Sequence, residues 1–365
     1  MSESTKPKLL KAIVIIVATY LFLLSIKLLG HSFKLFGQDF AEAMIEMTAN
    51  PFAGLIIGIV ATSLIQSSST TTSIVVGMVA GGALELGGAI PIIMGANIGT
   101  TITNTLVSFG HLSNRIEFKR AFSAGIVHDI FNICVVIVLF PLELKFHFIE
   151  QTATLLGNGF SGAGGLKLFN PLNYILEPII KFTDKMFSFL PYMEIFMMIF
   201  SIILMFTALI FLIKTIRSLV LTRIEFIIDR YLFRNDVLGF LLGILMTAVV
   251  QSSSVTTSLI IPLAGAGLVA IRKIFPYTLG ANIGTTVTAM LAAMATQNEV
   301  AITVAFSHLV FNIFGILIFY PLKFIPIRLA EYVGEKASKS TKNLVVFIVV
   351  YMLLYFVPIA LIFIF

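Results

Sequence analysis

The sequence predicts an all-α membrane protein built on an inverted-topology repeat, with two re-entrant helical hairpins and about seven full transmembrane spans. Three observations predict it. The 365 residues are 58% hydrophobic and only 12% charged, with a mean hydropathy of +1.03, against the roughly 25% charged residues of a soluble domain. The apolar stretches fall into two length classes. The same polar motifs also occur twice, in the same order, at a nearly fixed offset. Composition alone excludes a soluble enzyme, a disordered chain and a nucleic-acid binder. The net charge of +6 comes mostly from basic residues in short loops between apolar runs, which is the positive-inside pattern.

A helix needs about 20 apolar residues to cross the hydrocarbon core. Runs of that kind fall at 12–30, 89–109, 121–141, 191–213, 274–296, 300–320 and 344–364. The first follows a polar, basic Met1–Lys11. It is too long for a signal-peptide core and reads as a transmembrane helix. Stretches 52–84 and 238–270 behave differently. Each has 33 residues, too many for one crossing and too few for two, and each is interrupted at its centre by a Ser/Thr cluster. Each is therefore expected to enter and leave by the same face, with its non-helical tip surrounded by protein or lining a wet cavity.

With the N-terminus cytoplasmic, the predicted inside segments hold 18 of the 24 Lys and Arg, and the outside keeps Lys27, Lys34, Lys145, Lys167, Lys181 and Lys185. Reading either 33-residue stretch as a single span would flip every later loop and weaken that bias. Segment 142–190, which contains Gly162-Ala163-Gly164-Gly165, is expected to be external, with short surface helices. The 34 phenylalanines are expected to pack helices and face lipid. The lone Cys134 lies in an apolar run and excludes an intramolecular disulfide.

Gln66-Ser67-Ser68-Ser69-Thr70-Thr71-Thr72-Ser73 recurs as Gln251-Ser252-Ser253-Ser254-Val255-Thr256-Thr257-Ser258, 185 residues later. Gly95-Ala96-Asn97-Ile98-Gly99-Thr100-Thr101-Ile102-Thr103 recurs at the same offset as Gly280-Ala281-Asn282-Ile283-Gly284-Thr285-Thr286-Val287-Thr288. Gly54 and Gly58 match Gly239 and Gly243. His128, Phe131, Asn132 and Pro141 match His308, Phe311, Asn312 and Pro321 at an offset of 180. Two linked motif pairs at one offset mark a duplication. The units are 52–142 and 237–322. A connecting segment, 143–236, supplies an external loop, a span and a cytoplasmic linker, and 323–365 supplies a linker and the last span, all within a single transmembrane domain. Three crossings separate the starts of the two units, so they enter the membrane from opposite faces. That architecture points to a secondary transporter with its site near the midplane. The loop at 110–120 is basic, whereas its counterpart Gln297-Asn298-Glu299 is not, as inversion requires.

No Lys or Arg occurs from Pro51 to Asn114, and no charged residue from Val237 to Ile271 or from Ile274 to Asn298. Intramembrane chemistry must then rest on Ser, Thr, Asn, Gln and backbone groups. Their oxygens suit a hard monovalent cation such as sodium, and their O–H and N–H groups suit an oxyanion. A single Ser or Thr run more often serves helix–helix contact, but mirrored copies, each led by Gln, favour a ligand. The glycines of the GANIGTT segments also read as close-packing positions. Asn97 and Asn282 need partners, because an unpaired amide in an apolar helix is costly. His128 and Asn132, like His308 and Asn312, share a helix face. A proton relay there is the alternative to structural hydrogen bonding, which is preferred. Asp129 has no acidic counterpart in the second unit, where Leu309 stands, and is the weaker candidate. Glu85, at the end of the first hairpin, is expected to reach water.

The paired QSSS motifs, each followed by a GANIGTT segment in an inverted repeat, resemble the type II sodium–phosphate cotransporter family in its bacterial form. The resemblance covers about 50–142 and 237–322. It implies a secondary active symporter that couples sodium entry to inorganic phosphate transport by alternating access. Phosphate would lie between Gln66, Ser67, Ser68 and Ser69 and Gln251, Ser252, Ser253 and Ser254. Sodium, the co-transported ion, would be held by Ser252, Ser253, Asn282, Thr285, Thr286 and Thr288, with Asn97, Thr100, Thr101 and Thr103 as first-half equivalents. The large glycosylated, disulfide-bonded external loop of animal members has no counterpart, which implies a bacterial inner membrane with the N-terminus in the cytoplasm. A homodimer is compatible with the resemblance, and nucleic acid is not a partner. The alternatives are phosphate export, transport of another oxyanion such as sulfate, and an anion channel or membrane structural subunit. No HExxH, Gly-x-Ser-x-Gly or intramembrane carboxylate pair suggests an enzyme.

Overall fold

The computed structural model describes residues 6–100, 102–165, 170–227 and 235–362, and every regular element among them is helical. α1 (Lys6–Leu35) leads into a short amphipathic α2 (Gln38–Thr48), which meets α3 (Pro51–Ile65) at 96°. The first unit continues with α4 (Ser68–Gly81), α5 (Leu86–Gly99), α6 (Ile102–Ser108), a 3-10 turn (Phe109–His111) and α7 (Arg115–Phe146). The connecting region holds α8 (Phe148–Gly162), α9 (Asn170–Phe187) and α10 (Met193–Ile227). The second unit comprises α11 (Asp236–Val250), α12 (Ser253–Ser258), α13 (Ile261–Gly265), α14 (Ile271–Thr296) and α15 (Glu299–Phe319). α16 (Phe324–Lys339) and α17 (Thr341–Ile362) follow.

Six stretches are long and apolar enough to cross a membrane: Leu9–Leu35, Leu86–His111, Arg115–Phe146, Met193–Ile216, Ile271–Thr296 and Glu299–Phe319. They coincide with six of the seven expected spans. The seventh, 344–364, falls on α17, whose side chains are described only as far as Leu353. Segment 142–190, expected to carry short helices, holds α8 and α9 after the end of α7.

Start signals repeat along with the motifs. Asn50 Oδ1 accepts the Phe52 N–H and caps α3, and Asn235, 185 residues on, accepts the Leu238 N–H and caps α11. The α3–α4 and α11–α13 pairs end in Gly82 (φ 78°) and Gly267 (φ 77°), left-handed turns that favour glycine. α3 packs on α5 and α11 packs on α14, and in both cases the helices touch through glycine. A methyl group built on Gly58 would overlap the Ile92 carbonyl oxygen, and one on Gly95 would overlap that of Leu55. The counterparts Gly243 and Gly280 would overlap the carbonyls of Tyr277 and Phe240, again 185 residues further on. The close-packing reading of these glycines therefore holds.

The core runs along α7, where Phe122 and Phe131 are buried with Phe275 of α14 and Phe311 of α15. Each unit leans on the element that follows the other: α16 packs on α7, and α8 packs on α15. α1 packs on α10 and α4. Outward-facing apolar residues such as Ile137, Ile203, Phe211 and Leu317 form a surface suited to lipid.

The two units are not identical in shape. α5 ends at Gly99 and α6 begins at Ile102, with Thr101 between them outside the described residues, whereas the equivalent α14 is described as one continuous helix. Conversely α4 is continuous, but its equivalent is divided into α12 and α13. Pro262 stands there in place of Gly77, and it has no N–H to carry a helix through.

At the start of α11, Lys323 Nζ donates to Asp236 Oδ2 at 2.6 Å and Lys273 Nζ donates to Oδ1 at 3.4 Å. These bonds tie the start of α11 to α14 and to the end of α15. The Lys323 hydrogen bond holds the Asp236 carboxyl below its usual range. Its stabilisation is therefore present above the ordinary aspartate range and is lost as pH falls below it. Because the lysines are partly exposed, Asp236→Asn is expected to cost a small but measurable amount, about 0.2–1 kcal/mol. A melting temperature equal to that of the parent at pH 7 would contradict this tie.

Candidate functional site

Both Ser-rich clusters begin at the same two-residue break. Gln66 ends α3 at φ 56° with its N–H on Thr62 O, and Ser67 is extended at φ −151°. Gln251 ends α11 at φ 60° with its N–H on Thr247 O, and Ser252 is extended at φ −153°. A left-handed glutamine is a strained choice for a non-glycine residue, and finding it twice makes each break a built feature. In each case the serine hydroxyl caps the next helix, accepting the Thr70 N–H at 3.2 Å in one unit and the Val255 N–H at 3.3 Å in the other.

The second cluster is anchored across the unit boundary. The Ser254 hydroxyl donates to the Thr100 carbonyl at 3.1 Å, where α5 stops. Asn104 Nδ2 donates to Thr257 Oγ1 at 2.9 Å. Within the second unit, Thr288 Oγ1 donates to Gln251 Oε1 at 2.7 Å, while Gln251 Nε2 donates to Ala248 O. In the first unit, the Thr62 hydroxyl donates to that of Thr71 at 2.9 Å. The α4 helix of the first cluster packs on α14, and α12 packs on α6, so the helix that follows each tip lies against a helix of the other unit.

A second polar junction crosses the centre. His128 Nε2 lies 2.5 Å from Asn282 Oδ1. An amide oxygen only accepts, so the ring carries its proton on Nε2. Asn282 Nδ2 donates to Asn132 Oδ1 at 2.8 Å, and Asn132 Nδ2 donates to the Asn97 carbonyl at 2.6 Å. His128 and Asn132 thus form the structural bonds preferred from the sequence, and their partner is the second unit's motif asparagine. The counterparts His308 and Asn312 are equally buried but do not reach across: Asn312 Nδ2 turns back to His308 O.

The predicted phosphate and sodium residues divide by environment. Ser68, Ser69, Gln251, Ser253, Ser254, Asn97, Thr100, Asn282, Thr285, Thr286 and Thr288 are buried. Ser67, Ser252 and Thr103 are half-buried, and Gln66 is exposed. Thr101 lies outside the described residues. The hydroxyls of Thr100 and Thr285 donate to their own helix at Ala96 O and Ala281 O, and that of Thr286 to Ile283 O. Their oxygens keep lone pairs free to bind a cation. Direct contact between the two clusters is not what joins the units: Gln251 and Ser254 bond to Thr288 and Thr100 rather than to Gln66–Ser69.

Sequence reasoning missed Asn104, because its repeat position holds Ala289 and self-similarity could not flag it. Asp129 was set aside for the same reason. Its Oδ2 accepts from Tyr351 of α17 at 2.9 Å and from Thr105 at 3.4 Å, while Oδ1 is buried without a partner among the described residues. Away from this centre, Glu143, His147 and Glu150 bring ligand atoms within 4.8 Å of one another at the α7–α8 corner. Glu143 there already caps α8 by accepting the N–H groups of Ile149 and Glu150.

Comparison with known proteins places these features in a family. The profile of the Na+/Pi-cotransporter family matches residues 21–168 and 195–324, which include both clusters and both asparagine segments. The mouse sodium-dependent phosphate transport protein 2A is 34% identical over 426 aligned residues, covering 95% of this chain and 67% of that protein. The sheep protein 2A is 35% identical over 427 residues, with 95% and 66% covered. The human sodium-dependent phosphate transport protein 2B is 32% identical over 431 residues, with 92% and 62% covered. These relatives are transport proteins and not enzymes. No solved structure matches the chain. The chain is a multi-pass membrane protein that belongs to the Na+/Pi-cotransporter family.

Proposed function

We propose that this protein is a secondary active symporter that draws inorganic phosphate across the membrane with sodium, by alternating access. Units 52–142 and 237–322 are the inverted halves, α3–α4 and α11–α13 are the re-entrant hairpins, and the surrounding membrane is a bacterial plasma membrane with the N-terminus in the cytoplasm. Helix length supports the hairpins. At 15 residues each, α3 and α11 extend only about 22 Å, short of the roughly 30 Å hydrocarbon core. The matched glycine contacts and the crossed packing of α7 on α16 and α8 on α15 support the pseudo-symmetry.

The observation that carries the reading is the neutral junction between the units. Ser254 meets Thr100, and Thr257 meets Asn104, deep among apolar helices. A permanent cation would hold phosphate more tightly, but a transporter must also release it. Hydroxyl and amide donors from Gln66–Ser69 and Gln251–Ser254 hold the oxyanion by geometry. The oxygens of Ser252, Ser253, Asn282, Thr285, Thr286 and Thr288, with Asn97, Thr100, Thr101 and Thr103, bind the driving cation.

Flux in proteoliposomes with radiolabelled phosphate tests this. Uptake is expected to need an inward sodium gradient and to fall about tenfold or more in Ser68→Ala and in Ser253→Ala, as expected for losing a hydrogen bond to a charged ligand. Sodium-independent flux that simply follows the phosphate gradient would sink the symporter. Competition by excess sulfate would move the substrate.

A further inference from the structure

The two units carry the same residues at the central junction but do not make the same bonds. The made set is His128 Nε2 to Asn282 Oδ1, Asn282 Nδ2 to Asn132 Oδ1, and Asn132 Nδ2 to the Asn97 carbonyl. Exchanging the units by their offsets, 185 for the asparagine segments and 180 for the His/Asn pairs, specifies a mirror set. It would run from His308 to Asn97 Oδ1, from Asn97 Nδ2 to Asn312 Oδ1, and from Asn312 Nδ2 to the Asn282 carbonyl. That mirror set is not made. Asn97 Nδ2 turns back to Ile93 O at 2.9 Å, and Asn312 Nδ2 to His308 O at 2.9 Å, each within its own helix. Both ring nitrogens of His308 and the Oδ1 of Asn312 are buried without a hydrogen-bond partner among the described residues, and His308 is 0% exposed.

Orphaned polar atoms in an apolar interior are costly and rare. Here two of them are atoms the mirror set would use. The rest of the molecule is unequal in the same sense. The Gln251 tip is buried and held by Thr288, whereas the Gln66 tip is exposed. The helix after the second tip is split into α12 and α13, where its repeat partner α4 is whole.

We propose that His308, Asn97 and Asn312 are positioning residues whose hydrogen bonds form when those of His128, Asn282 and Asn132 break, as the two units exchange conformations. The inference rests on the alternating-access reading. Each end state keeps one set made and one open, so the states stay close in free energy and the ligands decide between them. His308 is then not a leftover of duplication but the half of the device that serves the state facing the other way.

The test uses the full chain in lipid nanodiscs, without substrate, in a Cys134→Ala background. Reporter cysteines replace Ser63 or Ala248, repeat-equivalent positions one turn before each tip, and a water-soluble maleimide measures their labelling rates. His308→Leu removes an orphan from the described state and a bond from the opposite one. It should shift the ratio of the two rates about fivefold toward the described arrangement, the scale of one intramembrane hydrogen bond. His128→Leu should shift it about fivefold the other way, and the double variant should return near the parent ratio. His308→Gln keeps a side-chain donor and should stay within about twofold of the parent. Asn312→Leu should move the ratio in the same direction as His308→Leu, and it decides the matter if the latter fails to fold. Shifts in the same direction for His128→Leu and His308→Leu, or no shift in either, overturn the exchange. Because no substrate is present, opposed shifts in a protein that lacks sodium-driven uptake would keep the exchange and remove only the transport reading.

Discussion

Replacing Gly95 or Gly280 by valine is expected to abolish recovery of monodisperse protein, and the two variants should fail alike. A Cβ at Gly95 would overlap the Leu55 carbonyl oxygen and come within 2.9 Å of the Ile59 nitrogen. At Gly280 it would overlap the Phe240 carbonyl and come within 3.0 Å of the Ile244 nitrogen. These obstacles are backbone atoms, which cannot rotate aside as a side chain can. Overpacking that side chains can absorb costs about 1–3 kcal/mol. Here the whole α3–α5 or α11–α14 contact must separate, so the cost should exceed about 3 kcal/mol. Gly87 and Gly110, with open space where a Cβ would stand, should accept alanine with little change. Size-exclusion profiles and melting temperatures in detergent decide it. A Gly95→Val protein that melts with the parent would mean the helices are not in backbone contact.

Asn282→Ala should destabilise the protein far more than Asn97→Ala, although the two residues occupy equivalent repeat positions. Asn282 accepts from His128 and donates to Asn132, both 1% exposed. Removing its amide strands two buried polar atoms, at about 1–3 kcal/mol each. Among the described residues, the Asn97 amide bonds to Ile93 O in its own helix. The Asn97 group that Asn132 uses is the backbone carbonyl, which alanine retains. Asn97→Ala should therefore cost less than about 1 kcal/mol in the described arrangement. Thermal melts of the two variants under one condition measure the difference, and equal losses would contradict the asymmetric junction.

Much of the architecture was legible in the sequence because its causes are local. Apolar runs of spanning length mark the six long stretches, and the Gln-Ser steps at 66–67 and 251–252 mark the breaks that became left-handed caps. The glycine offsets foretold the paired crossings because close approach leaves no choice of residue. What could not be read was which of two equivalent bonds is made. Self-similarity implies symmetry, so it gives His128 and His308 the same surroundings. The fold gives one of them Asn282 and leaves the ring of the other without a hydrogen-bond partner among the described residues. Asn104, Thr105 and Tyr351 escaped for the converse reason. They have no repeated pattern, and their roles arise only where distant segments converge. The split of α12 from α13 falls at Pro262, which has no proline counterpart in the first unit, and the Ser254 bond to the Thr100 carbonyl arises only where the two units converge.

The glycine crossings have a mechanical corollary. Where two helical backbones touch with no side chain between them, neither can slide without the other. Each of α3 and α11 must then travel with its neighbour, α5 or α14, as one stiff lever. The left-handed Gly82 and Gly267 sit in the turns between α4 and α5 and between α13 and α14, where they can serve as pivots. Under the proposed alternating access, slippage would fall to the surfaces lined by hydroxyls and amides, whose bonds can be re-dealt to new holders.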